Sequence, residues 1–62
     1  MCESNVYIEE KGREELLMEA VDLIIPEGDQ IRLVDIFGEQ KRVRARLKET
    51  RLLEHKVILE RI

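Results

Sequence analysis

The sequence is poor in the residues that small proteins use for cross-linking and catalysis. Its 62 residues include a single cysteine, Cys2, and a single histidine, His55, with two aromatic residues and no tryptophan. One cysteine excludes a disulfide bond within the chain. A nucleophile, a base and a group that orients them cannot be assembled from so few candidates, so we expect no enzyme.

Long hydrophobic runs are also missing. No segment reaches the roughly 20 apolar residues that span a bilayer, and the N-terminus lacks the charged and apolar regions of a secretory signal. We therefore expect a cytoplasmic protein, in which a lone thiol stays reduced. Eleven basic and 14 acidic residues give a net charge of −3, so the whole chain has no attraction for nucleic acid or anionic membranes.

The length of the chain predicts one small domain spanning residues 1–62. A chain this short buries only about 60% of the surface that its unfolded form exposes, so its core is marginal. A metal ion or a second copy of the chain would add the missing stability.

Turn residues recur at intervals of about ten and favour a small barrel or sandwich. They are Gly12, the segment 26–29 and the segment 38–41. Alternating or continuous apolar residues between them predict strands. The predicted strands cover residues 2–9, 31–37, 42–48 and 56–60.

Residues 14–24 fit two patterns. Periodicity alone slightly favours a helix, because apolar residues recur there at helical spacing. A meander of five strands closes into a barrel more easily than four strands with one inserted helix, so the surrounding pattern favours a strand that ends before Pro26. We expect the strand, and with it an all-β barrel of five strands. The residues at helical spacing are Leu17, Ala20, Val21 and Ile24.

Cys2 is the strongest candidate for a metal ligand. Removal of Met1 would place a free amine and a thiol on the same residue, which form a five-membered chelate, and the amide nitrogen of Glu3 follows. These donors suit Ni(II) or Cu(II) in a square plane, and the two N-termini of a homodimer would complete that plane. The structural alternative is a small, half-buried residue at the start of a strand.

His55 is typical of a turn or surface histidine. No second ligand lies two to four residues from His55 or from Cys2, so spacing does not predict a metal site at either residue.

A basic segment provides a second candidate site. If residues 42–48 form one strand, four basic side chains project from the same face, about 6.7 Å apart, which suits the phosphates of RNA. Scarce aromatic residues offer little base stacking, and the alternative is a solvated face paired with neighbouring glutamates. The basic residues are Arg42, Arg44, Arg46 and Lys48.

Three segments resemble the CooT family, a set of very short proteins formerly described as predicted RNA-binding proteins. They are MCESNVY at residues 1–7, VDIFGE at 34–39 and LLEHKVIL at 52–59. The resemblance covers essentially the whole chain, and its most specific element is the cysteine at position two.

The resemblance implies a small SH3-like barrel that forms a homodimer. It implies a nickel-binding protein, a metallochaperone or nickel store for the maturation of a nickel enzyme such as carbon monoxide dehydrogenase. Cys2, with the main chain of Glu3 beside it, matches the metal-binding position, whereas His55 acquires no role. Two alternatives stay open: an RNA-binding module that uses the segment from Arg42 to Lys48, and a structural subunit of a larger complex.

Overall fold

Six strands form one curled sheet in the computed structural model, which describes residues 3–62. The strand order is β4-β3-β2-β1-β6-β5, and every neighbouring pair is antiparallel except β1 and β6, which are parallel. The predicted all-β fold is confirmed. The described chain contains no helix that is long and apolar enough to cross a bilayer. The strands are β1 (Ser4–Glu10), β2 (Arg13–Glu27), β3 (Gln30–Asp35), β4 (Gln40–Val43), β5 (Ala45–Arg51) and β6 (Lys56–Arg61).

The connection between β4 and β5 requires the sheet to curl. The two strands lie at opposite edges of the sheet, yet Arg44 alone separates them in sequence. In a flat sheet, the edges of six strands would lie roughly 24 Å apart, whereas one intervening residue spans about 7 Å. The sheet therefore curls into a half-barrel, and the amide of Ile62 donates to the carbonyl of Arg44 at this corner over 3.3 Å.

The expected count of five strands was wrong, because residues 42–48 form parts of two strands rather than one. The alternation that predicted this strand is nevertheless real, since Val43 packs against the core and Ala45 is buried. Alternation reports which side chains point inward. It does not report that the chain bends at Arg44 and changes its partner from β3 to β6.

Residues 14–24 lie within the 15-residue strand β2, so the strand prediction is confirmed and the helical periodicity was misleading. The predicted end before Pro26 was wrong, because β2 continues through Pro26 to Glu27 and pairs there with β3. The first part of β2 pairs with β1, and its second part pairs with β3. Both pairings contain register shifts, and Ala20 has a positive φ of 57°. These irregularities bring Met18, Val21 and Ile24 to the core at intervals of three residues, close to the period of a helix.

The core lies on the inner face of the curled sheet. Leu33 and Leu59 are completely buried, and Val6 and Ile8 of β1 are buried beside them. The strand predicted over 31–37 ends earlier, at Asp35, and the following turn is exposed. The core cluster consists of Val6, Ile8, Val21, Ile31, Leu33, Ala45, Val57 and Leu59.

Candidate metal centre

The two predicted metal-binding positions precede the first strand. Cys2 lies outside the described residues. Glu3 is exposed and comes directly before β1. Its main-chain nitrogen, the second predicted donor, therefore lies outside the strand pairing that occupies the amides of the sheet.

Hydrogen bonds hold the start of β1 from both sides. The amide of Asn5 donates to the carbonyl of His55 over 2.9 Å, which joins β1 to the turn at residues 52–55. The side-chain oxygen of Asn5 accepts a hydrogen bond from the amide of Ala20 over 3.4 Å. The start of β1 is thus fixed against the turn before β6 on one side and against the bend of β2 on the other.

A shallow surface depression of about 360 Å³ lies at this position. Glu3, Asn5, Glu54 and His55 line it, so two carboxyl groups and one imidazole surround the depression. Across residues 3–62, however, no three acidic or histidine side chains are grouped closely enough to hold a metal ion. The described side chains therefore do not form a complete metal centre by themselves.

His55 occupies the turn position that its sequence context predicted. It is exposed, its φ is 52°, and its amide donates to the carbonyl of Leu52 over 3.2 Å. Its position beside Glu3 was not predicted, because the two residues lie near opposite ends of the sequence. The parallel pairing of β1 with β6 places the starts of these two strands side by side. Local residue patterns do not predict this pairing.

Two leucines in the same turn are almost fully exposed. Leu52 is 80% exposed and Leu53 is 98% exposed. They belong to the same turn as His55, whose carbonyl accepts a hydrogen bond from the amide of Asn5 at the start of β1. We refer to Leu52 and Leu53 as the leucine turn.

The four residues of the predicted basic face do not lie on one strand. Arg42 belongs to β4, Arg44 forms the corner, and Arg46 and Lys48 belong to β5. The prediction of four evenly spaced cations on one extended strand was therefore wrong. The bend at Arg44 separates them into two groups on different edges of the sheet.

Each of these four cations is also paired with a carboxylate. Arg42 and Arg44 lie 3.7 Å and 3.2 Å from carboxylate oxygens of the β2–β3 hairpin, respectively. Arg46 lies 2.9 Å from a carboxylate oxygen of β6, and Lys48 pairs with β1. These pairs neutralise much of the charge that a phosphate backbone would need. The acidic partners are Glu27, Asp29, Glu60 and Glu9.

The strongest local electrostatic effects lie on β5. A hydrogen bond from Arg51 holds the pKa of Glu49 below its ordinary value, and the same bond raises the pKa of Arg51. The Nε–Oε2 distance of this pair is 2.7 Å. A hydrogen bond to Glu9 raises the pKa of Lys48. These groups remain charged near neutral pH. Glu49 and Arg51 pair within β5, whereas Lys48 of β5 pairs with Glu9 of β1, on the far side of β6.

The sequence matches a known family along nearly all of its length. The model of the family described as CO dehydrogenase accessory protein CooT matches residues 1–60. The chain belongs to the CooT family. The resemblance of its three short segments to that family is therefore confirmed.

A solved structure and two other sequences agree with membership of the CooT family. A crystal structure of a protein from Carboxydothermus hydrogenoformans, assigned as CooT, superposes with a TM-score of 0.91 at 38% sequence identity and covers 98% of both chains. An uncharacterized protein of Methanocaldococcus jannaschii is 33% identical over 97% of this chain and 98% of its own. A short uncharacterized protein of Archaeoglobus fulgidus is 44% identical over 69% of this chain and 96% of its own.

Membership of the CooT family indicates a broad functional class, that of an accessory protein. An accessory protein assists another protein, which fits the scarcity of catalytic residues in this sequence. The family description supports a role in the maturation of CO dehydrogenase.

Proposed function

We propose that this protein is a homodimeric nickel-binding protein that stores Ni(II) or delivers it during the maturation of CO dehydrogenase. The observation that carries the proposal is the CooT family match over residues 1–60, which includes the cysteine at position two. Nickel is the cargo in this function, and the chain supplies the donors that hold and release it.

The proposed donors are the thiolate of Cys2 and main-chain nitrogens of the N-terminal segment. When Met1 is removed, the amine and thiol of Cys2 chelate one ion, and the amide nitrogen of Glu3 is the next donor along the chain. Thiolate and nitrogen donors suit a borderline ion that accepts square-planar geometry, such as Ni(II). Two chains together supply two thiolates, and the two nitrogens that complete the plane come from the Cys2 amines and the Glu3 amides.

The leucine turn supports the dimeric part of the proposal. If a second copy covers these exposed leucines, the dimer is stabilised by roughly 25 cal/mol for each Å² of apolar surface buried. A two-fold dimer uses the same patch on both copies. His55, in the same turn as the two leucines, accepts a hydrogen bond from the amide of Asn5, so such a dimer would bring the two β1 starts towards each other.

Nickel titration tests the metal site directly. We expect the native protein to bind one Ni(II) per two chains and to show a thiolate-to-metal charge-transfer band. Cys2→Ser should abolish both signals, because a hydroxyl is a far weaker ligand than a thiolate for this ion. Isothermal titration calorimetry and absorbance would be recorded on the same samples. Equal nickel affinity in the Cys2→Ser protein would show that the assigned site is wrong.

Substitutions of Glu3 separate main-chain from side-chain ligation. An amide nitrogen binds Ni(II) after it loses its proton. In Glu3→Pro this nitrogen carries a ring carbon in place of the proton and cannot be deprotonated, so we expect weaker nickel binding and a shifted charge-transfer band. Glu3→Gln is the matched control, since it removes the carboxylate and keeps the amide, and its binding should match the native protein. The reverse pattern would assign ligation to the carboxylate instead.

A further inference from the structure

A second exposed apolar residue lies on a separate loop, where acidic side chains surround it. Phe37, in the β3–β4 loop, is 85% exposed. It lines one groove together with Glu19, Asp35, Glu39 and Lys41. We call these five residues the Phe37 surface. Its three carboxylates exceed its single ammonium, so the groove around the ring is acidic.

The loop that carries Phe37 is held in one shape. A carboxylate oxygen of Asp35 accepts hydrogen bonds from the amides of Phe37 and Glu39, each over 2.9 Å. The amide of Gly38 donates to the carbonyl of Asp35 over 3.0 Å, and the amide of Ile36 donates to the carbonyl of Ala20 over 2.9 Å. The ring is thus presented to solvent on an ordered loop, so little conformational entropy is lost when a partner covers it.

Charge argues against a second copy of this chain as the partner. In a two-fold contact, the same patch meets itself, so each acidic groove would face another acidic groove. Like charges placed opposite each other across an interface disfavour association. Lys41 does little to offset this, because its ammonium is directed to the carbonyl of Leu17 over 3.4 Å. The complementary partner is a protein with an apolar recess surrounded by Lys and Arg.

We propose that the Phe37 surface docks such a recess on the apo form of CO dehydrogenase. This inference rests on the proposed function for the identity of the partner, and it assigns docking to a surface distinct from the nickel-binding start of β1. Phe37 is the central anchor, since aromatic residues that fill a pocket dominate binding at protein interfaces. The surrounding carboxylates provide orientation and association rate.

Binding of apo CO dehydrogenase to immobilised protein tests this proposal by surface plasmon resonance. Phe37→Ser should weaken binding about tenfold or more, as expected for loss of a central anchor. Glu39→Lys should also weaken binding, and added salt should slow association with the native protein. Leu16→Ser is the control for loss of an exposed apolar side chain elsewhere, because Leu16 is 50% exposed on β2, and this variant should bind like the native protein.

Two accompanying measurements keep the docking and nickel proposals separate. Nickel titration and the mass of the assembly in solution should be unchanged in Phe37→Ser, because this residue has no part in the proposed metal site. If Cys2→Ser abolishes nickel binding while Phe37→Ser binds the enzyme normally, the docking proposal fails and the proposed function stands. Absence of enzyme binding by the native protein, or dissociation of a dimer by Phe37→Ser, would also overturn docking at this surface.

Discussion

Glu49 and Arg51 lie two residues apart on β5 and form a direct hydrogen-bonded ion pair at the surface. Their pairing favours the ionised form of Glu49 and therefore lowers its pKa from the ordinary value of 4.5. A carboxyl group with a lowered pKa in the folded state stabilises the fold above its unfolded pKa. That contribution is lost as the pH falls through the folded-state pKa.

Arg51→Gln should therefore raise the pKa of Glu49 towards 4.5. An NMR titration of the Glu49 side-chain carboxyl measures this change directly. The variant should also lose less stability than the native protein between pH 4.5 and strongly acidic pH, since less pairing remains to be broken. Lys41→Gln, which removes a cation that does not contact Glu49, is the control, and an equal pKa change in that variant would contradict the assigned cause.

The sequence alone predicted the roles of some site residues and not of others. Cys2 and Glu3 could be named because a thiol followed by a main-chain amide is a chelate defined by adjacent residues. The depression beside Glu3 could not be predicted, since His55 reaches it through the parallel pairing of β1 and β6. Long-range strand pairing leaves no mark in local residue spacing.

At the scale of an element, β2 shows how an irregular strand imitates a helix. A regular strand repeats every two residues, but a strand with register shifts adds residues between inward positions. The positive φ at Ala20 accompanies these shifts, and such a conformation disfavours side chains that branch at Cβ. The three-residue spacing of apolar side chains can be read from the sequence. Its cause, the irregular backbone of β2, cannot.

Ala20→Val should destabilise the protein by about 1–2 kcal/mol, because a β-branched side chain at positive φ is strained. Thermal or urea unfolding followed by circular dichroism would measure the loss. Ala20→Gly should be nearly neutral, since glycine adopts this conformation freely. Glu19→Val places the same side chain at the preceding position of β2, where φ is not positive, and we expect little change. Equal losses in both valine variants would argue against a conformational origin.

At the scale of the whole molecule, the corner at Arg44 determines the architecture. The sequence predicted all-β structure and an inward-facing alternation that continues through Val43 and Ala45. The sequence did not predict that this alternation spans two strands at opposite edges of the sheet. Val43 on β4 and Ala45 on β5 both point towards the core, so the alternation continues unchanged from one strand to the next. The curl of the sheet and the count of six strands therefore follow from which strands pair with each other, and only the three-dimensional structure shows this.

Association of two copies is the whole-molecule prediction of the proposed function. Leu53→Asp places a charge at the most exposed leucine, where a dimer contact would have to desolvate it. We expect this variant to be monomeric by light scattering and still folded, since Leu53 makes no contribution to the core. Leu16→Asp is the matched control on another surface and should remain dimeric. A dimeric Leu53→Asp protein would exclude the leucine turn from the contact.

Native mass spectrometry after addition of Ni(II) tests the central claim most directly, because it reports subunit number, bound metal and retention of Met1 in one spectrum. The claim is that two chains share one nickel ion through their Cys2 thiolates. We predict a species of two chains with one nickel ion, loss of nickel in Cys2→Ser, and loss of both nickel and the second chain in Leu53→Asp. A single chain that carries its own nickel ion, or a Cys2→Ser dimer that retains nickel, would contradict this account.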